Sequence, residues 1–171
     1  MSENPYLGLV LGGARSGKSA YAESLVMAHR PPWIYIATAQ ALDAEMRARI
    51  DAHKARRGPD WRTIEAPQEL PEAIRAAPED APLLVDCLAI WLSNRMLSEC
   101  DLGADRAALL AALRGRRAAT VVVSPEVGLS VVPENALARA FRDAAGELHQ
   151  AVAKISDHVA FVVAGYAMKV K

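Results

Sequence analysis

Short apolar runs alternate with longer amphipathic stretches along nearly the whole chain. Residues 7–11, 33–37, 83–87, 120–124 and 159–164 are almost free of polar interruption. Runs of this length, rich in Val, Ile and Leu, read as strands buried on both faces, as inside a parallel sheet. Residues 62–64 read as a further short strand, and 168–171 as an edge strand beside 159–164. Helical composition fills the gaps. One helix runs from 18 to about 29 and is stopped by Arg30-Pro31-Pro32; a second covers 42–57 and ends at Gly58-Pro59. Others are expected over 71–76, from the end of the 83–87 run through Met96, and over 105–113. A long helix takes Pro133 in its first turn and continues to about Ile155. This alternation predicts an α/β fold, with a mostly parallel central sheet flanked by helices on both faces.

The length, 171 residues, suits a single domain over 1–171. Twenty basic and twenty acidic side chains cancel, so no basic excess points to nucleic acid as a partner. Cys87 and Cys100 form no metal-type pair. No apolar run approaches the roughly 20 residues of a membrane span, and no basic-then-apolar leader is read at the N-terminus. A cytoplasmic protein is expected.

The chemistry concentrates first in Gly12-Gly13-Ala14-Arg15-Ser16-Gly17-Lys18-Ser19, which matches the Walker A pattern between an apolar strand and a helix. Glycines let successive backbone N–H groups face phosphate oxygens, where side chains would block the approach. Lys18 is suited to charge on the β- and γ-phosphates, and the Ser19 hydroxyl to Mg²⁺. Such a loop needs a carboxylate on a neighbouring strand, and Asp86, closing the run 83–85, is the residue expected to help hold the metal. It also stands where an Asp would cap the following helix.

On the helix predicted over 42–57, Leu42, Met46, Ile50 and His53 fall on one stripe. Arg49 lies one turn before His53, and Arg56 and Arg57 one turn after it. Three guanidiniums call for an anion among them and favour a neutral, nucleophilic imidazole. Held against a triphosphate, it could attack the α-phosphorus. Spacing alone leaves open a second reading, a histidine at the edge of a buried helix face. His29, His149 and His158 are assigned no chemistry.

With these residues in view, the chain resembles the bifunctional adenosylcobinamide kinase/adenosylcobinamide-phosphate guanylyltransferases of cobalamin biosynthesis. The resemblance rests on the loop at 12–19, then Tyr35-Ile36-Ala37-Thr38-Ala39, Asp43, Glu45-Met46, Arg49-Ile50, His53, Arg56, Asp60-Trp61-Arg62-Thr63 and Glu65. In the second half it rests on Glu126-Val127-Gly128, Val132-Pro133-Glu134-Asn135, Arg139 and Phe141-Arg142-Asp143. It implies a RecA-like P-loop domain and a homotrimer. It also implies phosphorylation of adenosylcobinamide with ATP or GTP, then GMP transfer from GTP to the resulting phosphate through a guanylyl-histidine at His53. Ala37, Thr38, Ala39, Lys54, Ala55, Arg56, Arg57 and Glu65 match segments around the family's nucleotide. Three positions depart from the family pattern: Ala89 stands for a threonine, Ser130 for a glycine and His149 for an asparagine. Two other readings fit the same loop: a small-molecule kinase without nucleotidyl transfer, and a RecA-like assembly module without small-molecule chemistry.

Overall fold

The computed structural model describes residues 6–41, 44, 47, 48, 55 and 57–171. Seven strands form one sheet: β1 (Leu7–Gly12), β2 (Trp33–Ala37), β3 (Trp61–Glu65), β4 (Leu83–Asp86), β5 (Thr120–Pro125), β6 (His158–Val163) and β7 (Tyr166–Lys169). Five helices are described: α1 (Lys18–Met27), α2 (Leu70–Ala76), α3 (Leu88–Leu97), α4 (Leu102–Arg114) and α5 (Ala136–Ile155). Most of the helix predicted over 42–57 lies outside the described residues. The strand order is β3-β2-β4-β5-β1-β6-β7, and every pairing is parallel except β6 with β7. This is the mostly parallel sheet that the alternating pattern predicts, with β5 inserted between the loop-bearing β1 and the Asp86-bearing β4.

Each apolar run divides its residues between the two faces, because successive side chains on a strand point in opposite directions. Leu9, Ile34, Ile36, Leu83, Val85 and Val122 pack under α2, α3, α4 and α5. Val10, Tyr35, Leu84, Val121, Val123 and Val162 pack on the opposite face with Ala22 and Val26 of α1. Leu9, Ile36, Leu83 and Leu84 are fully buried, and each such side chain contributes about 1.5–3 kcal/mol through the area removed from water.

Several element ends differ from the sequence reading. The long helix begins at Ala136 rather than near Pro133, because the Asn135 side chain accepts from the N–H groups of Leu137 and Ala138 at 2.8 and 3.1 Å. The helix predicted over 105–113 starts earlier, at Leu102, for the same reason: the Asp101 carboxylate accepts from Gly103 and Ala104. The last strand runs over 166–169 rather than 168–171. Ala164 and Gly165, both at positive φ (51° and 84°), make the two-residue turn that suits an antiparallel hairpin. Cys87, not Asp86, occupies the cap position of α3, so the capping alternative for Asp86 does not hold.

Registered pairing brings the functional candidates to one edge. Ala37 of β2 stands opposite Glu65 of β3 on one side and Asp86 of β4 on the other. Gly12 stands opposite Pro125 of β5. These are the C-terminal ends of parallel strands, where open α/β sheets bind their ligands.

Candidate active site

The chain leaves β1 at Gly12 and enters α1 at Lys18. A Cβ on Gly12 would lie 2.6 Å from both the Ser16 Oγ and the Val162 carbonyl oxygen, so the loop closes only around glycine. Gly17 adopts φ 95°, and its Cα hydrogen faces the β6–β7 turn, where a Cβ would sit 3.1 Å from the Gly165 Cα. The Gly165 N–H donates to the Ser16 carbonyl at 2.8 Å, which anchors that turn against the loop. Nothing in the sequence pattern linked Gly165 to residues 12–19. The start of α1 has neither a side-chain cap nor an acidic residue in its first turn, so its N–H groups and dipole are left to an anion. Lys18 Nζ donates to the Gly13 carbonyl at 3.1 Å, folded over the loop mouth. Ala14 and Arg15 are exposed, and the buried Ser16 Oγ has no hydrogen-bond partner among the described residues.

Asp86 ends β4 beside this loop. Its Oδ2 accepts from the Ser19 hydroxyl at 3.4 Å and from the Tyr35 hydroxyl at 3.0 Å. Burial, and then the adjacent Asp86 charge, push the Tyr35 phenol pKa above its ordinary value, so the phenol remains a donor. The Arg57 guanidinium lies 3.4 Å from the Tyr35 ring centroid, and its buried Nη1 has no partner among the described residues. Cys87 follows Asp86 through a cis peptide bond. Burial, and then Asp86, raise its thiol pKa to about 12, which leaves it protonated and inert.

Thr38 is fully buried, and its hydroxyl accepts from the Cys87 N–H and donates to the Cys87 carbonyl, both at 2.8 Å. The side chain therefore ties β2 to the end of β4. Ala37 and Ala39 are half-buried, and Glu65 and Ala55 are exposed. His53, Lys54 and Arg56, like Arg49, lie outside the described residues; of the basic residues expected around His53, Arg57 is the one whose contacts are described.

Among the described residues no group of three or more His, Cys, Asp or Glu could hold a metal ion. The hydroxyl and carboxylate oxygens of Ser19 and Asp86 are hard donors beside an anion-ready loop. They fit Mg²⁺, which takes few protein ligands and completes its shell with phosphate oxygens and water.

A second polar group, missed in the sequence, adjoins the loop. Ser124 and His149 are buried, with His149 Nε2 2.7 Å from the Ser124 Oγ. His149 Nδ1 lies 3.7 Å from the Glu126 Oε2, and the Glu126 N–H donates to the Gly12 carbonyl. Burial lowers the His149 pKa, partly countered by Glu126. The available signal was the stripe Ala145, Leu148, His149 and Val152 on the buried face of α5. Of the other departures, Ala89 is buried near the start of α3, and the exposed Ser130 donates to the Val127 carbonyl.

Residues 8–170 match the family model described as cobinamide kinase / cobinamide phosphate guanyltransferase. The chain is 48% identical over 168 residues to a Pseudomonas aeruginosa protein named bifunctional adenosylcobalamin biosynthesis protein CobP, covering 95% of this chain and 96% of that one. It is 42% and 39% identical to proteins of Salmonella typhimurium and Escherichia coli, each named bifunctional adenosylcobalamin biosynthesis protein CobU. Each match covers 95% of this chain and 98% of the relative. Among solved structures, an ATPase of a bacterial type III secretion system superposes with a TM-score of 0.60 at 9% identity, covering 96% of this chain and 56% of that one. A Pyrococcus horikoshii protein superposes with a TM-score of 0.55 at 9% identity, covering 99% and 88%. These two likenesses bear on the fold alone.

Proposed function

The chain belongs to the cobinamide kinase / cobinamide phosphate guanyltransferase family, and from that premise we propose that residues 1–171 form one domain performing both reactions in a single subunit. The observation that carries the reading is the meeting of Lys18, Ser19 and Asp86 at the open N-terminus of α1.

In the first reaction a hydroxyl oxygen of adenosylcobinamide attacks the γ-phosphorus of ATP or GTP. The bond to the β–γ bridging oxygen breaks, and the nucleoside diphosphate leaves. Backbone N–H groups of residues 12–19 hold the phosphates in place. Lys18 exchanges the Gly13 carbonyl for the β/γ oxygens and opposes the charge that builds on the transferring group. Ser19 and Asp86 would hold Mg²⁺, which supplies further neutralisation of that charge.

In the second reaction the His53 imidazole attacks the α-phosphorus of GTP, pyrophosphate leaves, and a P–N bond forms. A phosphate oxygen of adenosylcobinamide phosphate then displaces the imidazole and takes the GMP. Arg56, Arg57 and Lys54 oppose charge on the α-phosphate, and Ala37, Ala39, Ala55 and Glu65 border the nucleotide, with the buried Thr38 holding the end of β2 beneath it. The buried Nη1 of Arg57, without a hydrogen-bond partner among the described residues, supports an anion at this place.

A homotrimer and a cytoplasmic location complete the proposal. Leu129, Val131 and Val132 on one side, and Tyr166, Met168 and Val170 on another, are large apolar side chains left exposed, as expected of an assembling subunit. Among the described residues no helix is long and apolar enough to cross a membrane.

The test is intact mass measurement after incubation with GTP and Mg²⁺. Wild type should gain one GMP, labile in mild acid and stable in alkali, as a P–N bond is. His53→Ala should lose the adduct and the guanylyl transfer while retaining phosphorylation. An adduct that survives the substitution, or maps to His29 or His149, would end the assignment.

A further inference from the structure

We infer that Tyr35 is a positioning residue shared by the two reactions: its hydroxyl turns the Asp86 carboxylate toward Ser19, and its ring face seats the Arg57 guanidinium. The inference rests on the proposed metal role of Asp86.

The sheet explains how one side chain reaches both. Tyr35 pairs in register with Leu84, while Asp86 lies two residues further along β4 and therefore on the same face. A diagonal neighbour across parallel strands is within reach of an aromatic side chain. The phenol reaches it, with the hydroxyl 3.0 Å from the Asp86 Oδ2. That oxygen also receives the Ser19 hydroxyl, so the Tyr35 bond restricts the rotation of the carboxylate that faces the loop.

Packing alone would be satisfied by phenylalanine, because Tyr35 is only 5% exposed and sits among Val10, Leu84 and Val123. A buried hydroxyl is tolerated when bonded, and this one is bonded to a carboxylate proposed to hold the metal. The other feature of the ring is its electron-rich face. Arg57 stacks on it at 3.4 Å, four positions after His53 in the sequence. An arginine held by its face keeps its edge N–H groups for another partner, and Nη1 is without one among the described residues.

The hydroxyl and the face can be removed separately. Tyr35→Phe deletes the first and keeps the second; Tyr35→Leu deletes both. Binding of a fluorescent, non-hydrolysable ATP analogue, titrated with Mg²⁺, reads the carboxylate half without turnover. Tyr35→Phe should raise the Mg²⁺ concentration for half-maximal binding by about 3- to 10-fold, and Asp86→Asn by at least that much. The ring face is read at saturating Mg²⁺ from the rate of GMP-adduct formation in Tyr35→Leu relative to Tyr35→Phe. Tyr35→Leu should form the adduct about tenfold or more slowly than Tyr35→Phe, a loss in the range expected when a cation–π seat is removed. In a double-mutant cycle with Arg57→Ala the two losses should be markedly less than additive.

A shift in Asp86→Asn with none in Tyr35→Phe overturns the hydroxyl role and leaves the metal reading standing. No shift in either removes the metal reading and this inference with it. Additive losses in the cycle overturn the role of the ring face. Thermal melting of each variant accompanies these assays. A Tyr35→Phe protein that melts with wild type but needs more Mg²⁺ has lost positioning, whereas a lowered melting temperature with an unchanged Mg²⁺ midpoint assigns Tyr35 to packing and overturns the proposal.

Discussion

Two polar clusters flank the loop at residues 12–19, and they are built to opposite ends. On the β2–β4 side, Asp86, Ser19, Tyr35 and Arg57 bring together a carboxylate, two hydroxyls and a guanidinium. On the β5 side, Ser124, Glu126 and His149 bring together a carboxylate, a hydroxyl and an imidazole. Each holds a buried nitrogen without a hydrogen-bond partner among the described residues: Arg57 Nη1 in the first and His149 Nδ1 in the second. The difference lies in charge. A guanidinium cannot shed its proton, so an N–H without a partner among the described residues is suited to an anion. An imidazole held neutral by burial tolerates an orphan nitrogen at lower cost, with Glu126 close by. The first cluster fits the proposed ligand site, and the second a brace under the loop.

The comparison breaks at once if the loop between the clusters does no chemistry. Lys18→Ala removes the charge proposed to oppose the transferring phosphoryl group and should cost about 10²- to 10³-fold in phosphorylation rate. Its melting curve should change little, since the lost bond is a single one to the Gly13 carbonyl. A coupled assay of nucleoside diphosphate release reads the rate, and turnover within threefold of wild type would sink the assignment.

Thr38→Val sharpens the first half. The buried hydroxyl answers both the N–H and the carbonyl of Cys87, the residue after Asp86. Valine leaves both unanswered, at a cost of about 1–3 kcal/mol in unfolding free energy. Urea denaturation measures this; a loss below about 0.5 kcal/mol would mean that the β2–β4 tie is dispensable.

The smallest effect is expected from His149→Asn, and it is a matter of pH. The folded-state pKa of His149 is depressed below its ordinary 6.5. As pH falls through about 6.5, the unfolded chain takes up a proton that the native state refuses, so stability declines until the folded pKa is passed. The difference in melting temperature between wild type and His149→Asn should be flat at alkaline pH. It should then shift against wild type as the pH falls from 7 to 5. A pH-independent difference would show that the ring takes up its proton in the native state as readily as in the unfolded chain, and the contrast between the clusters would lapse.

The sequence declared the first cluster only in part. Residues 12–19 and Asp86 were legible because their chemistry dictates residue types at fixed places, a loop between strand and helix and an acid at a strand's end. Tyr35 carried no such mark, since an aromatic in an apolar run reads as core. His149 was passed over because its partners lie 25 and 23 positions away, beyond any local period.

By itself, then, the sequence determined the strands, the described helices and the loop. Buried parallel strands need unbroken apolar runs, and a phosphate-cradling turn tolerates little but glycine at its tightest points. Helix starts at Leu102 and Ala136 were each misplaced by three residues, because the deciding Asp101 and Asn135 caps are single hydrogen-bonding choices that periodicity does not register. Only tertiary structure decided that β5 lies between β1 and β4, that the Ala164-Gly165 turn closes on Ser16, and that Tyr35 meets both Asp86 and Arg57. Strand order and register are long-range pairings, and they alone set which side chains share an edge of the sheet.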